Sequence, residues 1–453
     1  MTNESALFED DFTVDLDDLS SPTKDTLTDE INDFANQVVP ASDSGAETMP
    51  YVPDVAGGDR PIPAISIRTF YEKPETASLI ETASADRRMT RADLEVAQGG
   101  LPAAIEYLTH NVTPNLLIVE SSLPAAQMIS QIDALAEHCD PGVQVMVIGA
   151  QNDIALYRQL MDRGVSEYLV PPLQPVQLIR AIAGLFSDPE APFLGKSISV
   201  VGAKGGVGAS TIAHNLSWSV TENARLNATL VDLDLSFGTT ALDFNQEGSQ
   251  SVMDALLAPD RADEAVIARL LTKATERLSL FTAPATINNE VDISPDAYDT
   301  VIQVVRQTVP YVVIDLPHMW SNWLKDTLVA SDEVILVCQP DLASLRNGKN
   351  IIDRLKNERP NDNPPKLVLN MVGVPKRPEI PVKDFSAAIG IEPEIVLPFD
   401  PALFGTASNN GQMVSETQSD AKSSLAIDHL ASVLTGQAVD IPEKSLMQKL
   451  LGK

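Results

Sequence analysis

The 453-residue chain contains very little cysteine. Its two cysteines, Cys139 and Cys338, lie far apart in the sequence and form neither a CxxC pair nor a Cys/His spacing typical of a metal site. This scarcity excludes a disulfide framework and a zinc site. We expect each cysteine to be a small buried hydrophobe in a reducing compartment.

The sequence also lacks a long apolar run. No stretch approaches the roughly 20 apolar residues that span a bilayer. The first residues, MTNESALFEDDFTVDLDD, contain neither the basic nor the apolar segment of a signal peptide. With 44% hydrophobic residues and a mean hydropathy of −0.01, the sequence predicts a soluble cytoplasmic protein.

Positive charge is scarce as well. The chain has 32 Lys and Arg against 63 Asp and Glu, a formal net charge of −31. A protein that binds nucleic acid usually presents a basic face to the phosphates, so this charge weighs against a DNA-partition role. We expect no nucleic-acid partner, although a local basic patch would be compatible with this charge, and we expect partners that carry positive charge.

The length predicts two or three domains, preceded by an acidic N-terminal region at residues 1–63. Residues 1–60 hold fifteen Asp or Glu against Lys24 and Arg60, which predicts disorder. Two interpretations stay open, a solvated tail or a binding arm. The arm would dock its apolar side chains on a partner, namely Phe8, Phe12, Val14 and Leu16.

Short apolar runs alternate with helical segments over residues 64–186 and again over residues 197–436. This alternation predicts two parallel sheets, each covered by helices on both faces. The runs of the second segment are continuously apolar, as expected for strands buried on both sides. Residues 187–196, SDPEAPFLGK, are predicted to be a linker.

A glycine-rich loop follows the first buried strand of the second segment, in SISVVGAKGGVGASTIAH. Glycines allow backbone amides to turn inward around phosphate oxygens, and the N-terminus of the next helix adds its positive dipole end. A strand, this loop and a helix in that order predict a phosphate-binding site.

The loop resembles the deviant Walker A motif of the ParA/MinD family of P-loop ATPases. The resemblance implies binding of ATP or ADP with Mg²⁺, a signature lysine at Lys204, and a water-activating carboxylate at Asp234. It also implies Mg²⁺ binding by Ser210 and, through water, by Asp315. The implied nucleotide-binding residues are Lys204, Gly205, Gly206, Val207, Gly208, Ala209, Ser210 and Thr211 in the loop, and Asn370, Pro398 and Asp400 in the segments that resemble the adenine site.

Two loop positions depart from that family pattern. Ala209 stands where the second P-loop lysine is expected, and Ala203 stands where the first glycine is expected.

Three residues outside the loop keep two interpretations each. Asp232 either lies beside the metal or caps a turn. For His318 and Trp320, which follow the Asp315 strand, a packed loop and a partner contact both remain open.

Residues 64–186 resemble a response-regulator receiver domain without its chemistry. Glu120 replaces the phosphorylated aspartate, and the first strand runs Arg68, Thr69, Phe70, Tyr71 instead of ending in an acidic pair. The hydroxyl residue is replaced near Gly149 and Ala150, and the receiver lysine position holds Pro171. We expect a pseudo-receiver that serves contacts; a generic flavodoxin-like domain is the alternative.

The order of the two segments resembles the CpaE/TadZ group of pilus-assembly proteins. This resemblance implies a localisation or scaffold protein for the tight-adherence (Flp, type IVc) pilus secretion machinery at the inner face of the membrane or the cell pole. It also implies an ATP-dependent homodimer in which Lys204 reaches the other subunit's nucleotide. Implied partners are the pilus secretion ATPase, inner-membrane assembly proteins or a polar landmark protein. The alternative is an active ParA/MinD-type ATPase that positions a chromosome, a plasmid or the division site; whether ATP is hydrolysed stays open.

The tail at residues 437–453 contains a short basic amphipathic segment, IPEKSLMQKLLGK. About nine helical residues are few for stable anchoring at a membrane interface. Partner docking, fraying and peripheral membrane contact therefore remain alternatives.

Overall fold

The computed structural model describes residues 62–186, 194–246, 250–284 and 293–437. Residues 1–61 of the acidic N-terminal region, most of the predicted linker and the C-terminal amphipathic segment lie outside the described residues. None of the described helices is both long enough and apolar enough to cross a membrane.

The first unit is a five-stranded parallel sheet in the order β2-β1-β3-β4-β5. This strand order is the flavodoxin-like one, and it confirms the receiver-like fold that the sequence predicts. The strands are β1 (Ser66–Tyr71), β2 (Asp93–Gln98), β3 (Leu116–Ser121), β4 (Gln144–Gly149) and β5 (Glu167–Leu169). The helices are α1 (Pro74–Ser84), α2 (Gly100–His110), α3 (Ala125–Ala136), α4 (Ile154–Met161) and α5 (Pro175–Leu185).

Helices cover both faces of this sheet. Helices α2, α3 and α4 pack on one face, against alternate residues such as Leu117 and Val119 of β3. Helices α1 and α5 pack on the other, against Leu116 and Ile118 of the same strand. The continuous apolar run LLIV thus follows from burial on both faces.

The second unit is an eight-stranded sheet in the order β13-β12-β11-β6-β10-β7-β9-β8. Its strands are β6 (Lys196–Gly202), β7 (Ala228–Asp232), β8 (Thr272–Lys273), β9 (Leu278–Phe281), β10 (Tyr311–Asp315), β11 (Glu333–Cys338), β12 (Lys366–Val372) and β13 (Pro393–Pro398). Seven strands are parallel, as predicted. The sheet is mixed, because the two-residue β8 at its edge runs antiparallel to β9.

The helices of this unit pack on both faces of its sheet. They are α6 (Ala209–Trp218), α7 (Thr240–Asp243), α8 (Val252–Leu256), α9 (Glu264–Leu270), α10 (Pro295–Thr308), α11 (Asn322–Ala330), α12 (Leu342–Glu358), α13 (Val382–Ile389), α14 (Pro401–Asn410), α15 (Val414–Thr417) and α16 (Lys422–Thr435). Strand β6 lies between β11 and β10. It is buried on both sides, with Val201 in one apolar cluster and Ile198 and Val200 in the other.

Cys338 is buried at the end of β11, as expected. The expectation is wrong for Cys139, which is only partly buried because it lies beyond the C-terminus of α3.

A cluster of charged side chains joins the two units. The carboxylate of Asp362 lies 3.0 Å from Arg87, 3.0 Å from Arg88 and 2.9 Å from Arg359. Arg88 and its second partner, Asp86, are each only 2% exposed. The cluster lies at the amino-terminal side of the second sheet, because Asp362 precedes β12.

Candidate nucleotide-binding site

The glycine-rich loop leaves the carboxyl end of β6 and enters α6. Gly206 and Gly208 have φ values of 77° and 89°, a region that residues with a Cβ adopt at a cost. Gly208 is the N-cap residue of α6, so the loop delivers the chain directly to the N-terminus of that helix. The glycines are therefore required by the path of this loop.

Side-chain amides from the end of β11, from α12 and from β12 hold the carbonyl groups of the loop. Asn347 donates to the carbonyl of Ala203 at 3.0 Å, and Gln339 donates to that of Gly206 at 3.0 Å. Asn370 donates to the carbonyl of Val207 at 2.8 Å.

The N–H groups of the loop glycines differ from the loop carbonyls in their hydrogen bonding. Within the described part of the chain, the N–H groups of Gly205, Gly206 and Gly208 have no acceptor. The loop thus has carbonyls engaged by protein and N–H groups available to an anion, as phosphate-binding loops require.

Asp315 ends β10, the strand beside β6, and it is 1% exposed. Neither of its carboxylate oxygens has a hydrogen-bond partner among the described residues. Burial and the nearby charge of Asp232 raise the pKa of Asp315 to about 7, while His214 and the adjacent hydroxyl of Ser210 act to lower it. A buried, unpartnered carboxylate close to a hydroxyl suits Mg²⁺, which prefers oxygen ligands and is held by few protein groups.

Asp232 and Asp234 shape the turn that follows β7. Asp232 is fully buried and accepts hydrogen bonds from the N–H groups of Asp234 and Thr240, at 3.1 and 3.2 Å. Asp232 therefore caps this turn, whichever role it also has towards a metal. Asp234 is half-buried, and its carboxylate accepts from the N–H of Phe237 at 3.0 Å.

Sequence reasoning missed a buried histidine behind the loop. His214 lies on α6 with Nδ1 2.9 Å from Asp243, Nε2 3.0 Å from the hydroxyl of Thr240, and Nε2 3.8 Å from Asp315. Burial acts to lower the pKa of His214, but the surrounding carboxylates raise it above its usual value. The only available signal was its helical spacing of four residues from Ser210.

A cavity of about 320 Å³ lies beside the loop. The three residues assigned to the adenine segments, Asn370, Pro398 and Asp400, all line it together with Gly208 and Thr211. Asp400 also caps α14 by accepting from the N–H of Leu403 at 3.0 Å. The carboxyl ends of parallel strands bring these distant segments together.

Lys204 does not line that cavity. Its Nζ lies 2.7 Å from the carboxylate of Asp341, the N-cap residue of α12. The sequence alone does not predict Asp341, Gln339 or Asn347 as site residues. A polar QPD segment directly after the β11 run was the available signal, but its proximity to the loop depends on the strand order.

His318 and Trp320 follow β10, and the sequence leaves open for both whether they form a packed loop or contact a partner. His318 Nδ1 lies 3.2 Å from the carbonyl of Gly202 at the base of the loop. Trp320 is 55% exposed, so it is not part of a packed loop.

In the first unit, hydrogen bonds from the neighbouring chain hold the carboxylate of Glu120. Its carboxylate accepts hydrogen bonds from the N–H groups of Glu72 and Lys73, at 2.7 and 2.9 Å, and from the hydroxyl of Thr76 at 2.8 Å. Glu72 and Lys73 directly precede α1 and Thr76 lies in its first turn, so Glu120 holds the start of this helix against the end of β3. The carboxylate at the end of β3 is thus fully engaged.

Arg68 and Gly149 lie at two other positions where the sequence departs from the receiver pattern. Arg68 pairs with Asp93 and Glu95 of the neighbouring strand, each at 3.0 Å. The phenol of Tyr168 fills the space beside Gly149, where a Cβ would lie 2.4 Å from its oxygen.

Comparison with known proteins gives three informative matches and one family model. An AAA domain model matches residues 195–365. A crystal structure of the pilus assembly protein CpaE from Caulobacter crescentus is 53% identical, covering 28% of this chain and 98% of that chain, with a TM-score of 0.28. A putative CpaE2 pilus assembly protein from Sinorhizobium meliloti is 39% identical, covering 27% and 99%, with a TM-score of 0.26. The septum site-determining protein MinD of Synechocystis is 26% identical over 55% of this chain and 92% of its own length.

Proposed function

The chain belongs to the CpaE family of pilus-assembly proteins within the ParA/MinD superfamily, and from this membership we propose that it is a nucleotide-binding scaffold of a pilus machinery. The proposed ligands are ATP or ADP with Mg²⁺. The machinery is proposed to be of the tight-adherence type, at the cytoplasmic face of the membrane or at a pole.

The observation that carries the nucleotide proposal is the arrangement of the glycine-rich loop. Its carbonyls are engaged by Asn347, Gln339 and Asn370, while the N–H groups of its glycines have no protein acceptor among the described residues. A packed loop with a purely structural role would be expected to satisfy those N–H groups internally. The cavity lined by Asn370, Pro398 and Asp400 continues from the loop and is large enough for a base.

Ser210 and, through water, Asp315 are the residues proposed to hold Mg²⁺. The ion would neutralise part of the phosphate charge. Its bound water would also donate hydrogen bonds to the Asp315 carboxylate, which has no hydrogen-bond donor among the described residues. Asp234 is proposed to position the attacking water if hydrolysis occurs.

The missing P-loop lysine makes dimerisation part of the proposal. Ala209 provides no positive charge, and within residues 203–208 the one cationic side chain is Lys204. We propose that ATP promotes a two-fold dimer in which Lys204 of each subunit contacts the other subunit's phosphates. Nucleotide binding and assembly would then be thermodynamically linked.

The receiver-like unit is proposed to serve contacts within the assembly. Glu120 lies where a receiver domain carries its phosphoryl group, and its carboxylate already accepts three hydrogen bonds from within the protein. Proposed partners are the pilus secretion ATPase, inner-membrane assembly proteins or a polar landmark protein. A net charge of −31 favours a partner surface that is basic.

Sedimentation equilibrium with Mg²⁺ and ATP, ADP or no nucleotide tests the dimer. The wild type should dimerise with ATP, and Lys204→Ala should lose this response because two cross-subunit contacts disappear at once. Lys349→Ala is the matched control, since Lys349 and Lys204 have the same side-chain exposure of 31% and each pairs with one aspartate. An unchanged mass in all three conditions, or normal ATP-dependent dimerisation of Lys204→Ala, would contradict the proposal.

A further inference from the structure

The ion pair between Lys204 and Asp341 has a consequence for the dimer. The Nζ atom of Lys204 lies 2.7 Å from the Asp341 carboxylate, and the two side chains are 31% and 26% exposed. Burial acts to raise the pKa of Asp341, but hydrogen bonds from Lys204 and from the Ser344 N–H lower it below its usual value. In the single chain, the signature lysine is therefore neutralised by its own subunit.

Asp341 is held in position by hydrogen bonds within its own segment and between that segment and the loop. Its second carboxylate oxygen accepts the N–H of Ser344 at 2.8 Å and so caps α12. On either side of Asp341, Gln339 and Asn347 are hydrogen-bonded to loop carbonyls. The segment from the end of β11 into α12 is thus attached to the loop at three points.

While the ammonium group of Lys204 lies 2.7 Å from the Asp341 carboxylate, that carboxylate offsets the positive charge that a partner's phosphates would otherwise attract in full. We propose that Asp341 is a positioning residue that holds Lys204 in the single chain and competes with the partner's nucleotide for it. This inference rests on the proposed function, in which Lys204 crosses the dimer interface. Dimerisation then requires two such pairs to open, which raises the protein concentration needed for an ATP-bound dimer.

The expected size of the effect follows from the exposure of the pair. A partly exposed ion pair changes an equilibrium by up to about fivefold. Two pairs open per dimer, so removing the competition should strengthen ATP-dependent dimerisation by about 3- to 25-fold. Asp341→Asn is the suitable change, because asparagine retains the capping of α12 while it removes the charge.

Asp353→Asn is the matched control. Asp353 lies on the same helix and pairs with Lys349 at 3.2 Å, so its removal changes the net charge equally without touching the loop. This control accounts for the reduced repulsion between two strongly acidic subunits.

The test combines dimerisation with the reactivity of Lys204 in the full-length protein. With Mg²⁺ and ATP, the dimer dissociation constant of Asp341→Asn should fall at least threefold, while that of Asp353→Asn should stay within twofold of wild type. In the Lys204→Ala background, Asp341→Asn should have no further effect, because no lysine remains to be released. Without nucleotide, acylation of Lys204 measured by peptide mass spectrometry should be faster in Asp341→Asn than in wild type or Asp353→Asn.

The outcomes separate this inference from the proposed function. If wild type dimerises with ATP but Asp341→Asn dimerises equally or more weakly, the competition is refuted and the dimer stands. Unchanged acylation of Lys204 in Asp341→Asn would refute the pairing itself, whether or not a dimer forms. If acylation rises but no variant dimerises with ATP, the dimer proposal and the competition fail together.

Discussion

Replacing Asp362 by alanine should markedly destabilise the protein. The Asp362 side chain is 11% exposed and is the shared counter-ion of Arg87, Arg88 and Arg359, which are 16%, 2% and 5% exposed. Arg88 keeps its pairing with Asp86, but Arg87 and Arg359 lose their carboxylate partner and repel each other in a buried setting.

Removing one partner of a buried ion pair costs about 3–5 kcal/mol. We expect about 3 kcal/mol here, because Arg88 remains paired and Arg359 keeps hydrogen bonds to the carbonyls of Leu328 and Asp332. For a domain of this size, 1 kcal/mol shifts the melting temperature by about 2–4 °C, so Asp362→Ala should lower it by about 6–12 °C.

Differential scanning calorimetry of nucleotide-free protein measures this shift. Asp353→Ala is the control, because Asp353 is 49% exposed and forms a single i,i+4 pair on α12. That pair contributes about 0.5 kcal/mol or less, so the control should melt within about 2 °C of wild type. A melting temperature of Asp362→Ala close to that of the control would refute the reasoning about the buried cluster.

Four further outcomes follow from the nucleotide site and the receiver-like unit. The affinity for Mg²⁺ and ATP should rise from pH 6 to pH 8, because Asp315, with a pKa of about 7, must lose its proton before it can hold the ion; calorimetry of Asp315→Asn should show a flatter profile. In the nucleotide-free protein, the raised pKa of Asp315 means that stability is lost as pH rises from about 4 through 7, so Asp315→Asn should melt above wild type at pH 8. Ala209→Lys should bind ATP about 10- to 150-fold more tightly, as one charge-assisted contact contributes about 1.5–3 kcal/mol; an unchanged affinity would show that the loop does not cradle phosphate. A small phosphodonor should leave residues 64–186 unphosphorylated, since the Glu120 carboxylate is engaged by three hydrogen bonds, and a stable mass increase of about 80 Da there would contradict this.

The central strands could be predicted from the sequence because their side chains are buried on both faces. Short continuous apolar runs such as LLIV in β3 and VVI in β10 are typical of strands that helices cover on both sides. Strand β2 is not predicted, because DLEVAQ is short, contains no continuous apolar run and is largely exposed at the edge of the sheet. The edge strand β8, only two residues long, has no pattern to detect.

The candidate site was predictable where its residues lie at the carboxyl ends of apolar strands. The loop follows β6, and the other residues lie at or just beyond the ends of β7, β10, β12 and β13, so a parallel sheet brings them to one edge. The contacts of Gln339, Asp341 and Asn347 with the loop were not predictable, because they depend on β11 lying beside β6. His214 was not predicted for a different reason: its three partners come from helix α7 and strand β10, both far along the chain.

The most direct measurement is isothermal titration calorimetry of the full chain with ATP and with ADP in the presence of Mg²⁺. The account predicts one nucleotide per chain with a dissociation constant below about 1 mM, a binding free energy more favourable than about −4.1 kcal/mol. Binding of Mg²⁺ and ATP should be weakened in Asp315→Asn, which keeps the shape of the site and removes the carboxylate. No detectable binding of either nucleotide at millimolar concentration would contradict the account and indicate a retained fold with an empty site.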